Sequence, residues 1–217
     1  MIILTGVNGF IGNNLYYKIK KNFNDKILLV EDLKNNNNNN NDLYNDKIID
    51  FRDLDFSQLS KKNIKGVFHL GAITNTTFND ANIINAQNTE FSINLFESIK
   101  EKDCKFIYAS SASVYGKNTD STEIPINEKP INLYSLSKLN FDNYIRKSTK
   151  NFSNGNKVYG LRYFNVYGSG EKMKGKMASV IFHFFHQISY NKKIKLFVGS
   201  DGFQNGEQKR DFIHVDD

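Results

Sequence analysis

The chain has 217 residues, 39% of them hydrophobic, enough for one sizeable core. Its net charge is +6, but the lysines are spread along the sequence rather than gathered into a basic stripe, which argues against nucleic acid as the partner. There is no charged-then-apolar leader, no apolar run of about 18 residues, and a lone cysteine, Cys104, which excludes an internal disulfide and a multi-cysteine metal site. The expectation is a cytoplasmic protein with no membrane partner and no metal.

In chain order, "MIILT" predicts a first buried strand, followed by the glycine turn "GVNGFIG" and a helix over "NNLYYKIKKNF". "KILLVED", "KIIDF" and "KGVFHLGA" predict the second, third and fourth strands. The asparagine run Asn35 to Asn41 cannot bury apolar surface and predicts a mobile loop between the second and third strands. "ANIINAQNTEFSINLFESIKEK" reads as one long helix, "KFIYASSASVYG" as strand then loop, and "NLYSLSKLNFDNYIRK" as a helix. "NKVYGLRYFNVYG" predicts a further strand and loop, "MASVIFHFFHQISYN" a helix, and "IKLFVG" a last strand. Strands alternate with helices and lack clean period-2 alternation. The fold class is therefore α/β, a doubly wound parallel sheet buried on both faces.

Gly6, Gly9 and Gly12 form G-x-x-G-x-x-G between the first strand and the first helix. The spacing suits a tight turn, close approach of a pyrophosphate, and close packing of helix on strand, the Rossmann arrangement for a dinucleotide. Glu31 ends the second strand about 20 residues on, placed to bind the adenosine ribose hydroxyls. A carboxylate there favours NAD over NADP, and Asp32 adds to the repulsion of a 2′-phosphate; Lys34 is a cation able to offset it, but the asparagine run removes other basic candidates nearby. Asp50 and Phe51 follow the third strand, at the adenine edge. Leu70, Gly71 and Ala72 end the fourth strand beside the pyrophosphate.

"YSLSK" puts Tyr134 and Lys138 at i and i+4 on one helix face, and "ASSASVYG" puts Ser110 and Ser111 at the end of the fifth strand. A phenol with a pKa of about 10 is a poor base at neutral pH. A nearby Lys⁺ and a nicotinamide cation favour phenolate, which then takes a proton from a sugar hydroxyl while hydride leaves for the nicotinamide. A serine hydroxyl orients the same oxygen.

"TGVNGFIG", "YASSASVYG", "YSLSK", "LRYFNVYG" and "RDFIHVDD" stand in the order of the extended short-chain dehydrogenases/reductases, and the whole chain resembles that family of nucleotide-sugar epimerases and dehydratases. "SSA" at Ser110 to Ala112 resembles the epimerases; the Thr-Asp-Glu of the dehydratases is lacking. "MIILTGVNGFIG", "FHLGAITNTTF", "GEKMKGKMASVIFHFFH" and "KLFVGSDGF…KRDF" resemble the ADP-glyceromanno-heptose 6-epimerase subfamily in particular. That resemblance implies an isomerase that removes a hydride from C6 of ADP-heptose and returns it to the opposite face through a retained NADP or NAD, in lipopolysaccharide biosynthesis. It implies two bases, Tyr134 and Lys174, supported by Lys138 and Ser111.

The resemblance adds cofactor contacts at Phe10, Ile11, Ile73, Thr74, Asn88, Val166 and Lys174. It adds substrate contacts at Asn165, Lys176, His183, Phe197, Val198, Gly199, Ser200 and Arg210. It further implies a dinucleotide-binding domain over 1–165, a substrate-binding subdomain begun at 166–217 and truncated relative to a family of roughly 300 residues, and a homo-oligomer, commonly a pentamer. The rivals are another epimerase of the group, of UDP-hexose 4-epimerase type, and a non-catalytic dinucleotide-binding protein. A functional Lys174 separates the first from the reading above.

Overall fold

A computed structural model describes residues 1–34, 44–118, 120–150, 157–200 and 202–217. The chain divides into two compact units, Met1–Arg162 and Tyr163–Asp217. The asparagine run read as a mobile loop lies outside the described residues.

The first unit is built on a six-stranded sheet in the order β3-β2-β1-β4-β5-β6. The strands are β1 (Ile2–Thr5), β2 (Ile27–Glu31), β3 (Lys47–Asp50), β4 (Gly66–His69), β5 (Lys105–Ser111) and β6 (Val158–Tyr163). β1 pairs in parallel with β2 on one side and β4 on the other, and β2–β3 and β4–β5 are parallel too. Burial explains the apolar runs. Ile3, Leu28, Val30, Val67 and Phe106 pack into one cluster, with Leu95, Phe96 and Phe141 from the covering helices. The alternate residues Ile2, Leu4, Ile27 and Leu29 pack into another, with Tyr16 and Ile19 of the first helix. The inner strands β1 and β2 are buried throughout, which leaves them no polar, solvent-facing alternation, whereas the edge strands β3 and β6 carry exposed residues such as Lys47, Tyr159 and Leu161.

The crossovers supply α1 (Phe10–Asn22), the single turn α2 (Phe56–Leu59), the pair α3 (Ala81–Ile84) and α4 (Phe91–Glu97), and α5 (Leu133–Ser148). The long helix predicted over 81–102 is interrupted: Asn85–Glu90 between α3 and α4 is π-helical. The cause is tertiary. Asn88 in this turn is 2% exposed and uses its side-chain amide on a neighbouring loop and on α5, and the rare π-turns inside α-helices are frequently found at functional sites.

The second unit holds β7 (Asn165–Tyr167) and β8 (Phe212–His214), a parallel pair, with a 3₁₀ segment Glu171–Met177 and helix α6 (Val180–Asn191) between them. The strand predicted at "IKLFVG" does not form, and residues 194–199 have no regular structure. Its backbone bonds turn back on the next loop instead: Gly206 N–H donates to the Phe197 carbonyl at 2.9 Å, and the Gln208 side chain to that of Val198 at 2.8 Å. A strand needs a paired ladder along its edge, and this segment has scattered bonds to turns and side chains instead, such as Lys195 N–H to the Gln187 side chain at 2.7 Å. The short β8 was not predicted; three residues give too little periodicity to read.

Candidate active site

The order 3-2-1-4-5-6 reverses between β1 and β4, and in open α/β sheets the crevice beyond that switch point takes the ligand. Here two backbones nearly touch. A Cβ on Gly6, whose φ is +80°, would stand 2.6 Å from the Gly71 nitrogen, and a Cβ on Gly12 would stand 2.0 Å from the Gly6 carbonyl oxygen. Only glycine fits either place. The Thr5 hydroxyl oxygen bolts the loops together, accepting from the Leu70 and Gly71 N–H groups at 3.1 and 2.9 Å. Its own proton then goes to His69 Nδ1, 2.8 Å away. That assigns the remaining His69 proton to Nε2, which donates to Ser92 Oγ at 2.7 Å, and Ser92 donates to the Asn88 carbonyl at 2.6 Å. His69 is buried among Phe91, Phe106 and Phe141, and burial pushes it down to about 3, so it is a neutral link at all ordinary pH. Sequence reading missed Thr5, His69 and Ser92, because the bonds that join them to one another and to the Leu70–Gly71 loop span 23 to 66 residues.

The start of α1 carries no acidic residue and no side-chain cap at Gly9, which leaves its first N–H groups to an anion. Asn8 in the same turn is 8% exposed, and its Oδ1 is buried without a hydrogen-bond partner among the described residues. A buried acceptor of this kind asks for a donor, and the glycine-only cradle beside it fits a dinucleotide. Phe10 and Ile11 are the first residues of α1. Asn88 fastens the loop after β4: its Oδ1 accepts from Ile73 N–H at 2.8 Å, and its Nδ2 donates to the Ile73 carbonyl and Ser137 Oγ, both at 3.0 Å. Ala72 and Thr74 flank Ile73 in that loop.

Glu31 closes β2 and is 8% exposed; Oε1 accepts from the Asn8 N–H at 3.1 Å. Burial pushes its carboxyl up to about 7, against the backbone bonds that favour the anion. It stands in register with Asp50 on β3. Arg52, unremarked in the sequence, occupies this edge: Nη1 meets both Asp50 oxygens at 2.8 and 2.7 Å, Nη2 meets Asp32 at 2.6 Å, and the guanidinium lies 4.4 Å from the Phe51 ring centre.

Tyr134 and Lys138 sit on the first turns of α5, whose start is secured by a reciprocal cap between Asn132 and Ser135. Lys138 is 7% exposed, its Nζ donating to the Ala109 carbonyl of β5 at 2.9 Å and standing 5.9 Å from the Tyr134 ring centre. Burial pushes the ammonium down to about 8, with Asp142 opposing. Ser111 ends β5, is hydrogen-bonded to Tyr134, and accepts from the Ser113 hydroxyl at 2.9 Å. The structure thus brings Ser111, Tyr134 and Lys138 together. It differs on the phenol: burial raises the Tyr134 pKa, and the Ser111 bond only partly opposes this. No depression by Lys138 accompanies it in the protein by itself, where the Lys138 ammonium donates to the Ala109 carbonyl. Ser110 is turned elsewhere, donating to Asp142 at 2.9 Å.

In the second unit, Asn165 donates from both its backbone and its side chain to the Asp211 carbonyl, at 3.2 and 3.0 Å, and Val166 is buried. Lys174 lies in the 3₁₀ segment, half-buried, and burial lowers its pKa against the pull of Glu171. Glu171 is buried and accepts from the Ser179 N–H at the start of α6, fastening the segment to the helix. Lys176 is exposed. His183 meets the edge of Phe182 within α6. Phe197 and Val198 are exposed, Gly199 donates to Asn205 at 2.7 Å, and Ser200 follows in the same exposed loop. Arg210 is exposed and donates to the Lys209 carbonyl. No group of three or more potential metal-ligating His, Cys, Asp or Glu occurs among the described residues, and none of the described helices is long and apolar enough to cross a membrane.

Comparison with known proteins agrees with this geometry. A protein from Alkalilimnicola ehrlichii named ADP-L-glycero-D-manno-heptose-6-epimerase is 43% identical over 223 residues, an alignment that takes in 100% of this chain and 69% of that one. The crystal structure of the Helicobacter pylori protein of the same name superposes with a TM-score of 0.83 at 32% identity, over 99% of this chain and 69% of that one. A Bacillus cereus UDP-glucuronic acid 4-epimerase in complex with NAD gives 0.74 at 29%, over 99% and 70%. Residues 2–217 match the family described as NAD dependent epimerase/dehydratase, and the chain belongs to that family.

Proposed function

We propose that the protein is an isomerase that inverts C6 of ADP-D-glycero-D-manno-heptose, acting in the cytoplasm on a small-molecule nucleotide sugar, with the first unit holding the dinucleotide and the second contributing to the sugar site. The observation that carries the chemistry is the gathering of Ser111, Tyr134 and Lys138 at the C-terminal end of β5. The choice of sugar rests on the relatives named above and on Lys174.

When bound, the nicotinamide accepts a hydride from the sugar carbon and later gives it back. The protein's own part is proton handling. Tyr134 takes the hydroxyl proton as the C6 hydride leaves, giving a 6-keto sugar, and Ser111 holds the same oxygen in place. Buried Lys138 is the cationic neighbour that favours phenolate when the site is closed to water. Returning hydride to the opposite face asks for a proton at the oxygen from a second direction, and Lys174, its pKa already lowered by burial, is the group proposed to supply it. A homo-oligomer is the proposed assembly, supported by the family resemblance.

Turnover tests this directly. The purified protein is incubated with ADP-D-glycero-D-manno-heptose, with UDP-galactose in parallel, and the epimers are resolved chromatographically. Conversion of the heptose alone is expected, and Lys174→Met is expected to abolish it while nucleotide stays bound. Conversion of UDP-galactose, or full activity in Lys174→Met, would favour a 4-epimerase instead.

A further inference from the structure

We propose that Arg52 is the residue that sets the choice between the two nicotinamide dinucleotides, and that its capture by Asp32 and Asp50 makes the site select NAD over NADP. The inference rests on the dinucleotide reading of the glycine turn and deepens it. The two cofactors differ only at the adenosine 2′ position, a hydroxyl against a phosphate dianion, so the charge at the end of β2 decides between them. Glu31, Asp32 and Asp50 bring three carboxyl groups to this edge, and Glu31 and Asp50 are direct neighbours across the β2–β3 ladder.

Arg52 is the group best suited to a phosphate, a planar fork of donors, but its fork is already used. Nη1 spans both oxygens of Asp50, Nη2 holds Asp32, and the Phe51 ring lies against the guanidinium. Asp50 is itself held, accepting from the Leu33 and Arg52 backbone N–H groups at 3.0 and 2.9 Å, and its side chain is 6% exposed. Asp32 is the looser partner, at 26%. A 2′-phosphate would therefore have to displace Asp32 from Arg52 beside two further carboxyl groups. The ribose hydroxyl of NAD asks for none of this.

The device makes a specific prediction. Asp32→Asn removes one negative charge and releases Nη2, so NADP should gain where NAD changes little. The test strips the purified protein of nucleotide and titrates NAD and NADP calorimetrically into the wild type, Asp32→Asn and the double variant Asp32→Asn/Arg52→Met. Separately, the nucleotide retained through purification is released with acid and identified chromatographically. The wild type is expected to retain NAD and bind it at least about tenfold more tightly than NADP. Asp32→Asn should narrow that gap to about threefold or less. The double variant should restore the gap, its NAD binding showing that it is folded. The proposal is overturned if the wild type binds NADP as well as NAD, if Asp32→Asn gains nothing, or if the gain survives without Arg52, which would hand the role to another cation such as Lys34. Should the double variant bind neither nucleotide, Asp32→Asn/Arg52→Lys decides: it keeps the charge without the fork, and undiminished NADP binding there overturns the role given to the fork, whereas a lost gain upholds it. Failure of the wild type to bind either dinucleotide would instead sink the reading on which the inference rests.

Discussion

Glu31 shows how one side chain reports on its surroundings. Its carboxyl is pushed up to about 7 from an ordinary 4.5 because burial disfavours the anion more than the backbone bonds favour it. The folded state therefore holds this proton more tightly than the unfolded chain. Its contribution to stability is complete below about 4.5 and is lost as the pH rises through about 7, by about 3 kcal/mol. In the nucleotide-free protein, urea unfolding of the wild type should show that fall between about pH 5 and about pH 8, and Glu31→Gln should remove most of it. An unchanged slope in the variant would place the titration elsewhere. The position of Glu31 was legible in the sequence, as was the spacing of Tyr134 and Lys138, because both follow from local periodicity. Arg52 was not, since its partner Asp32 lies 20 residues away across a strand pair. Nor was the raised phenol of Tyr134, which burial decides.

At the scale of elements, the glycine turn does two separable jobs. A Cβ at Gly12 would meet the backbone of Gly6 at 2.0 Å and of Val7 at 3.1 Å, whereas one at Gly9 has only the Gly6 oxygen, at 3.2 Å. Gly12→Ala must push α1 away from β1, and a loss of about 1–3 kcal/mol is expected. Gly9→Ala should cost much less stability and show its effect in dinucleotide affinity. Denaturation midpoints and calorimetry on both variants check the contrast, and equal destabilisation would mean the helix is not clamped at Gly12. The inner strands β1 and β2 were readable because each is a run of apolar residues buried on two faces, while the edge strands β3 and β6 are only partly covered. The π-turn at Asn85–Glu90 and the irregular 194–199 segment were not, for each is decided by hydrogen-bond partners outside the segment itself.

Over the first unit as a whole, the least expected feature is a buried ionic cluster joining β5, β6, α5 and the loop before it. Asp142 accepts from Tyr108 and Ser110, both at 2.9 Å, and from Arg162 at 3.2 and 3.0 Å; Arg162 also meets Glu128, which pairs with Arg146, and donates to Tyr115 at 2.9 Å. Asp142 is 4% exposed. Asparagine keeps one acceptor oxygen but puts an NH2 where the other accepted and removes the charge facing Arg162, so Asp142→Asn leaves part of the buried guanidinium uncompensated and should cost about 3 kcal/mol. The surface pair Glu97–Lys100 is a control, and Glu97→Gln should change stability by less than about 1 kcal/mol. Chemical denaturation of the two variants reads the difference, and a neutral Asp142→Asn would show that the cluster is dispensable. The sequence by itself determined the doubly wound parallel sheet, the glycine turn and the helix face of Tyr134 and Lys138, because turn chemistry and hydrophobic period are local properties of the chain. The tertiary structure alone decided which charges are buried, which way His69 carries its proton, and what Arg52 is bound to, because those depend on side chains that only folding brings within hydrogen-bond distance.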